Sequence, residues 1–448
     1  MKTSILSLAL LAGSVLAQSS SSGSSPSSSA AAASSSSQPS GSSSGPIAKT
    51  SPTWLADVKP LAGNVQSYPT GQIPTGPFTA SNITLSGYPT GWKSPPTDSP
   101  QVQAAYNAIN WSLVPTSAVR KANADGTPNM SGYGADDPDC WWSATGCTTP
   151  KHSNVEPDIV NCPTVGDWGL TYDDGPLTSE AGQWAEPNLY DFLAQHNNQK
   201  AALFYIGSNV IQAPAAAQRA LADGHTICVH TWSHPAMTTQ TNQQVVAELY
   251  WALHAIKEVT GVTPKCWRPP YGDVDDRVRA IANQMGMTTV IWDEDTNDWN
   301  MPGSGGGNLP PSTVDGYFEG WIEARKNGTD NQHGHIVLEH ELNNATVSMA
   351  EKWLPQIQQT FRVVPFNQCM NISQPYWETN FVYPTDANPN ATVPSSSPSP
   401  AASTGSSGAS ASAAGASSSS SKTSSASSLS VSNLIIGSVM VIATALMA

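Results

Sequence analysis

Residues 167–176 read DWGLTYDDGP, and this stretch decides the fold. Trp168–Tyr172 is a short, largely apolar run, and Asp173 and Asp174 follow it before a Gly-Pro pair. A short apolar run that ends in turn residues is typical of a buried strand, so the stretch predicts a β-strand that delivers two carboxylates at its end. Taken alone, Asp-Asp-Gly-Pro is also typical of an ordinary turn.

The alternation of strand and helix recurs along the chain. Six further short apolar runs are predicted strands: Ala201–Ile206, Thr226–His230, Lys265–Arg268, Thr288–Trp292, His335–His340 and Phe361–Val364. Amphipathic stretches between most of them are predicted helices: Pro187–His196, Asn209–Asp223, Gln243–Val259, Asp275–Met285 and Val347–Gln359. This alternation predicts an α/β fold with parallel strands and helices outside. About seven strands over roughly 200 residues favour a barrel over an open sheet, although periodicity alone does not distinguish the two.

Polar clusters come where these predicted strands end. They are Asp173-Asp174 after the first strand, His230 and His234 after the third, Arg268–Asp273 after the fourth, Asp295–Trp299 after the fifth and His340 at the end of the sixth. The carboxyl ends of parallel barrel strands meet at one mouth, so we expect these side chains to converge there. Two imidazoles and a carboxylate are a common ligand set for a divalent transition metal. Metal binding by one of two adjacent carboxylates also relieves their mutual repulsion.

Composition and charge exclude some classes of protein. The chain has 448 residues, a formal net charge of −14 and only 12% charged residues. Nucleic-acid binding requires a basic surface, so this balance argues against such a partner. No apolar run reaches the ~20 residues that span a bilayer, which disfavours an integral membrane protein. Tryptophans near the clusters could line a sugar-binding groove, although core packing is an equal alternative for each: Trp141, Trp142, Trp232, Trp267 and Trp299.

The two ends are typical of processing signals. Residues 1–17 predict a cleaved signal peptide, with a buried N-terminal helix as the alternative. The apolar residues 434–448 after a Ser/Ala-rich tract predict a removed GPI-anchor signal, with attachment near 420–425 and a tail-anchored helix as the alternative. The chain is therefore expected to be secreted and held at the cell surface, on the plasma membrane or in the wall. Residues 18–48 and 394–432 are predicted to be a disordered Ser-rich segment and a glycosylated stalk.

Six cysteines in a secreted chain predict disulfides. Their positions are 140, 147, 162, 228, 266 and 369, which allow 15 connectivities, and Cys140 and Cys147 could close a local loop. Seven N-glycosylation sequons are consistent with secretion; they begin at Asn82, Asn110, Asn129, Asn327, Asn344, Asn371 and Asn390. Residues 49–159 are interpreted as an irregular N-terminal extension and 371–393 as a C-terminal one.

Five motifs together resemble those of a known family. In order they are TYDDGP (171–176), HTWSH (230–234), RPPYGD (268–273), DTNDW (295–299) and IVLEHE (336–341). Over about residues 160–370 the chain resembles the polysaccharide deacetylases, a carbohydrate esterase family, and within it the fungal chitin deacetylases. The resemblance implies a deformed (β/α) barrel and a Cys162–Cys369 disulfide that clasps the ends of the domain. It also implies metal-dependent hydrolysis of the N-acetyl groups of chitin polymer or oligomers, giving chitosan and acetate within the glucan and chitin matrix of the wall.

The resemblance further implies a role for each motif residue. Asp174, His230 and His234 would bind one divalent metal, Zn²⁺ or Co²⁺. Asp173 would be the general base and His340 the general acid. The remaining roles concern positioning and substrate: Arg268 holds Asp173, Asp298 rather than Asp295 orients His340, the backbone N–H of Tyr271 faces the oxyanion, and Trp299 forms a wall of the acetyl pocket.

Two alternative functions remain open at this point. An acetylxylan-type ester deacetylase would keep the fold and change the bond that is cleaved. A catalytically silent, chitin-binding wall mannoprotein would keep the location without the chemistry. The presence of every proposed metal ligand, base and acid argues against the second alternative.

Overall fold

A parallel sheet forms the centre of the computed structural model. Its strands are β1 (Asp167–Gly175), β2 (Ala202–Tyr205), β3 (Thr226–Val229), β4 (Cys266–Trp267), β5 (Thr288–Thr289), β6 (Glu294–Asp295), β7 (His335–His340) and β8 (Arg362–Pro365). Their order is β5-β4-β3-β2-β1-β7-β6, and β8 pairs with the first half of β1. In the part of the chain that the structure describes, β5 and β6 are not paired with each other. The predicted α/β class and deformed barrel of parallel strands are therefore confirmed, and the structure shows in addition that the barrel is not closed between β5 and β6 among the described residues.

The structure describes residues 51–391 with the exception of 62–63, 66, 69–82, 84 and 178–186. The predicted signal peptide (1–17), Ser-rich segment (18–48), stalk with its anchor site (394–432) and apolar tail (434–448) lie outside the described residues, as does the sequon at Asn82. These assignments stay predictions.

Helices surround the sheet. They are α1 (Pro100–Ala108), α2 (Trp142–Thr145), α3 (Pro187–Gln195), α4 (Gly207–Gln212), α5 (Pro214–Ala222), α6 (Asn242–Thr260), α7 (Asp276–Gln284), α8 (Pro311–Asn327), α9 (Asn344–Ile357) and α10 (Phe366–Cys369). Among the described residues, none of these helices has the length and apolar character needed to cross a bilayer. The longest, α6, begins at a capping box formed by Thr241 and Gln244 and ends at Gly261, whose φ is 86°.

Three elements differ from the sequence prediction. The single helix predicted over Asn209–Asp223 is divided into α4 and α5, because Pro214 lacks an N–H and restricts the residue before it. Helix α8 was not predicted, since its buried residues form a narrow stripe at every fourth position (Val314, Phe318 and Ile322). Strand β6 consists of two acidic residues, Glu294 and Asp295, so it contains no apolar run that would predict it.

Side chains of β1 point alternately to the two faces of the sheet, and each face contributes to a different layer of the core. Thr171 and Asp173 point into the barrel, where both accept hydrogen bonds from Arg268. Trp168, Leu170 and Tyr172 are buried on the other face with the helices. Every residue of this strand is buried except Asp174, as expected for a parallel strand that is covered on both faces.

The described part of residues 51–159 packs on α6 and α7. Lys257 donates from Nζ to the carbonyl of Leu55 (2.9 Å). Arg279 and Asp158 form a two-pronged ion pair in which both side chains are fully buried, with contacts of 2.8 and 2.7 Å. This extension therefore lies against the barrel through specific polar contacts as well as apolar packing.

Three disulfides fasten the barrel and the extension. The structure confirms the Cys162–Cys369 bridge and the local Cys140–Cys147 loop. The third bridge, Cys228–Cys266, joins β3 to β4. No free cysteine remains among the described residues.

Removal of the Cys162–Cys369 bridge tests its contribution. The bridge spans a sequence separation of 207 residues, whereas Cys140–Cys147 spans 7. Replacing both cysteines of the long bridge by serine should lower the free energy of unfolding by roughly 5 kcal/mol, and the matched Cys140/Cys147 serine pair by roughly 2 to 3 kcal/mol, because longer loops restrict the unfolded chain more. Urea unfolding followed by tryptophan fluorescence measures both. An equal or larger loss of unfolding free energy in the Cys140/Cys147 variant would contradict the larger contribution expected of the Cys162–Cys369 bridge.

Candidate active site

Asp174, His230 and His234 meet at the carboxyl end of the barrel. Asp174 Oδ1 lies 3.4 Å from His230 Nε2 and 3.2 Å from His234 Nε2. The two imidazole ring centroids are 5.0 Å apart. The three side chains that the sequence pattern predicted as metal ligands are therefore brought together.

The backbone at the end of β1 makes this convergence possible. Successive strand residues point to opposite faces, so a regular strand would direct Asp173 inward and Asp174 outward. Instead the strand register shifts between Asp173 and Gly175, and Asp174 has a left-handed φ of 72°. Such an irregularity re-aims a side chain. As a result Asp173 Oδ2 (3.7 Å) and Asp174 Oδ1 (3.4 Å) both face the same His230 Nε2.

The donor set fits a divalent transition metal. Asp174 Oδ1 is buried and has no hydrogen-bond partner, so an oxygen with negative charge faces two imidazole nitrogens without hydrogen-bond geometry to either. His230 Nδ1 lies 2.8 Å from the carbonyl of Arg268, a contact that requires Nδ1–H and leaves a lone pair on Nε2. Burial disfavours ionisation of Asp174, but His234 and His230 hold the pKa of this carboxyl well below its usual range. A carboxylate and two imidazole nitrogens are donors that suit such a metal.

Asp173 is held by Arg268 inside the barrel. Arg268 Nη1 donates to Asp173 Oδ1 (2.7 Å) and to Thr171 Oγ1 (2.8 Å). The guanidinium is fully buried and also donates to the carbonyls of Val290 (3.3 Å) and Ile291 (3.1 Å). This ion pair fixes one oxygen of Asp173 and directs the other, Oδ2, toward the metal ligands.

His340 is oriented by Asp298 at the end of β7. Its Nδ1 lies 2.7 Å from Asp298 Oδ1, and its backbone N–H donates to Asp298 Oδ2 (2.9 Å). Burial opposes the charged imidazolium, but the Asp298 carboxylate outweighs it and raises the pKa of His340 to about 9. The carboxylates around His340 therefore favour its charged ring over the neutral one. Asp295 does not make this contact; its carboxylate accepts the backbone N–H of Asn297 (2.7 Å).

The two predicted substrate-binding aromatics are exposed at this end of the barrel. Tyr271 has a left-handed φ of 60°, is 54% exposed and packs its ring edge-on against His234 at 4.7 Å. Trp299 follows Asp298 in a short 3₁₀ turn and is 42% exposed.

The groove-lining interpretation is wrong for three tryptophans. Trp141, Trp232 and Trp267 are fully buried, so they pack in the core and cannot contact a polymer. Trp142 is partly buried and packs on Trp292, with ring centroids 5.0 Å apart. The motif positions located these residues near the site but gave no information on which way each ring faces.

Two buried acids that support the site were missed by the sequence analysis. Asp273 accepts hydrogen bonds from Trp141 Nε1 (2.8 Å) and Ser143 Oγ (2.7 Å), and its other oxygen accepts from Thr238. It thereby joins the extension to two loops of the mouth. Glu248 on α6 accepts from the backbone of Trp232 and Ser233, between the two histidine ligands. Asp273 lies in the RPPYGD motif (268–273), so the sequence could have pointed to it. No local sequence signal distinguishes Glu248 from an acid on a helix surface.

Comparison with known proteins adds independent evidence. A sequence profile of the polysaccharide deacetylase family matches residues 161–290. The chain is 46% identical over 299 residues to a chitin deacetylase of Amylomyces rouxii, an alignment that covers 65% of this chain and 68% of the relative. It is 43% identical over 308 residues to chitin deacetylase 2 of Cryptococcus neoformans var. grubii, covering 67% of this chain and 65% of the relative. The chain thus spans about two thirds of the length of these relatives.

One solved structure adds a further similarity. The chain is 26% identical to the structure of the chitin deacetylase from Colletotrichum lindemuthianum, with a TM-score of 0.42. That alignment covers 48% of this chain and 92% of the other.

Replacing Asp298 by asparagine should lower the pKa of His340. Loss of the carboxylate removes a charge-assisted hydrogen bond, so the pKa should fall by roughly 1 to 2 from about 9, and burial then favours the neutral ring. NMR titration of the imidazole Cε1–H, assigned with a His340→Gln spectrum, measures the change. Asp295→Asn is the matched control and should give a clearly smaller change. Equal titration of His340 in wild type and Asp298→Asn would contradict the role of Asp298.

Proposed function

We propose, from the premise that this chain belongs to the polysaccharide deacetylase family, that it is a metal-dependent chitin deacetylase. It would hydrolyse the N-acetyl groups of β-linked N-acetylglucosamine polymer or oligomers to free amines and acetate. The observation that carries the proposal is the placement of Asp173 and His340 beside the Asp174–His230–His234 cluster. The named relatives support chitin as the substrate.

A metal bound by Asp174, His230 and His234 would polarise the acetamide carbonyl and lower the pKa of the attacking water. Asp173 would accept the proton of that water on Oδ2, because its Oδ1 is held by Arg268. The Arg268 contact keeps the base in place without competing for the oxygen that reacts.

Departure of the amine requires a proton. His340 would donate that proton from Nε2, because Asp298 occupies its Nδ1 and favours the charged ring. The backbone N–H of Tyr271 would donate to the oxyanion as negative charge develops on the carbonyl oxygen. Asp173 on β1 and His340 on β7 are paired in register, so the proposed base and acid lie on neighbouring strands.

The exposed rings at the mouth support a carbohydrate substrate. The faces of indole and phenol suit the C–H faces of a sugar ring, and both Tyr271 and Trp299 present such surface. Trp299 would form a wall of the pocket for the acetyl methyl group.

The proposal includes the native metal and the location. Zinc or cobalt suits two imidazoles and one carboxylate. The predicted signal peptide and GPI signal support secretion and attachment to the plasma membrane or the wall matrix, where chitin and glucan would be the neighbouring polymers. Chitin would then be both the substrate of the protein and a polymer of the wall matrix beside it.

Assay of the purified chain on two substrates tests the proposal. With zinc or cobalt added, acetate should be released from N-acetylglucosamine oligomers and not from acetylated xylan, and a chelator should abolish release until metal is restored. Preferential release from xylan would instead support the ester deacetylase, and release from neither substrate would support a silent chitin-binding protein.

Substitutions at the two adjacent aspartates should separate catalysis from metal binding. Asp173→Asn should lower kcat by roughly 10²- to 10⁴-fold while zinc content stays at the wild-type value, because the base is lost and the ligands are kept. Asp174→Asn should reduce zinc content and activity together. Acetate release combined with metal analysis by mass spectrometry measures both. Wild-type turnover in Asp173→Asn would remove the assigned base.

A further inference from the structure

A second cluster of histidines and acids lies at the opposite end of the barrel. His335 begins β7, and His340 ends it, so the two residues are about 17 Å apart along the strand. Asp293 directly precedes β6, next to the amino end of β7, and donates its backbone N–H to the carbonyl of Ile336 (3.2 Å). Five residues on the loops and strand ends form what we name the lower cluster: Asp293, Glu294, Asp330, His333 and His335.

The lower cluster repeats the donor set of the active site. Asp293 Oδ2 lies 2.8 Å from His335 Nδ1 and 3.5 Å from His333 Nδ1. One oxygen and two nitrogens from these residues all lie within 4.8 Å of one another, as do the donors of Asp174, His230 and His234. The ring centroids of His333 and His335 are 5.6 Å apart. Zinc binding would bring these three donors to about 2.0–2.2 Å from a common centre.

The remaining contacts of His335 match those of a metal-bound histidine. Its Nε2 lies 3.2 Å from Asp330 Oδ1, so the nitrogen that faces away from Asp293 has a carboxylate partner. In metal sites the second ring N–H of a ligating histidine typically donates to a carboxylate or a carbonyl, which orients the ring. His230 in the active site has the equivalent contact with the Arg268 carbonyl.

Charge and burial in the lower cluster favour a cation. Asp330 is nine-tenths buried, and its Oδ2 has no hydrogen-bond partner. Four of its residues, all except Asp293, line a cavity of about 270 Å³, and no lysine or arginine is among the described residues that line it. Arg325 donates to the backbone carbonyl of Asp330 (2.9 Å) rather than to its carboxylate. Three acids therefore face two histidines, and a buried carboxylate oxygen without a partner is energetically unfavourable.

We propose that the lower cluster is a second binding site for a divalent transition metal of the zinc class. Asp293, His333 and His335 would be the ligands, and Asp330 would accept the Nε2–H of His335. The metal would replace two hydrogen bonds that the donor atoms make in its absence: His333 Nδ1 lies 2.9 Å from the Gly334 carbonyl, and His335 Nδ1 lies 2.8 Å from Asp293 Oδ2. Binding would fasten the loop before β7 to the start of β6 and so stabilise the fold without contacting substrate.

Zinc binding by single-histidine variants of the full chain tests the proposal. The key variant is His333→Gln, because the His333 side chain is 39% exposed and the substitution should not disturb folding. His152→Gln is the matched control: that side chain is 42% exposed and also contacts one carboxylate, Asp276, but belongs to no such cluster. His234→Gln removes a ligand of the active site, so the zinc that it still binds reports on the lower cluster.

The readouts are zinc content after dialysis, calorimetric titration with ZnCl₂, and the zinc-induced rise in melting temperature. His333→Gln should bind one equivalent less than wild type, keep wild-type deacetylase activity and lose part of the thermal stabilisation by zinc. His234→Gln should still bind one equivalent while losing activity, and His152→Gln should match wild type. Failure of His234→Gln to bind zinc, or equal zinc content in His333→Gln and His152→Gln, would overturn the proposal, whatever the outcome of the activity assay.

Discussion

The buried guanidinium of Arg268 is the interaction on which the rest of the site depends. Its N–H groups join β1 to the residues that follow β5, and they hold one oxygen of Asp173 while leaving the other available. Its own backbone carbonyl accepts from His230 and thereby orients a proposed metal ligand. The guanidinium packs on Phe204 at 4.1 Å and has no access to water, so loss of either partner would leave an uncompensated buried charge. Base and ligand are therefore positioned by one residue.

Much of the fold and of the site could be predicted from the sequence because both depend on local patterns. Apolar runs bounded by turns located seven of the eight strands, and polar residues at their carboxyl ends identified the mouth of the barrel. The missed features depend on tertiary contacts: the direction of the Trp232 ring, the use of Glu248 to hold a loop, and the pairing of Asp293 with His335 across 42 residues of sequence. Periodicity does not encode these contacts, and strand β6, which consists of two acidic residues, has no apolar run.

The two ends of the barrel carry different groups of residues. Its carboxyl end holds the proposed metal ligands, base and acid, whereas its amino end holds the Cys162–Cys369 bridge and the lower cluster. This arrangement follows the general rule for parallel barrels, in which loops after the strands carry function and the opposite end supports the fold. Strand β7 connects the two ends, because it begins at His335 and ends at His340.

The central claim is that a metal is bound by Asp174, His230 and His234 beside Asp173 and His340. Anomalous diffraction at the zinc absorption edge, from crystals of the chain grown with zinc, tests it most directly. We expect a strong anomalous peak within bonding distance of Asp174 Oδ1 and the Nε2 atoms of both histidines. A map with no peak at that position, or with these three side chains pointing away from one another, would contradict it.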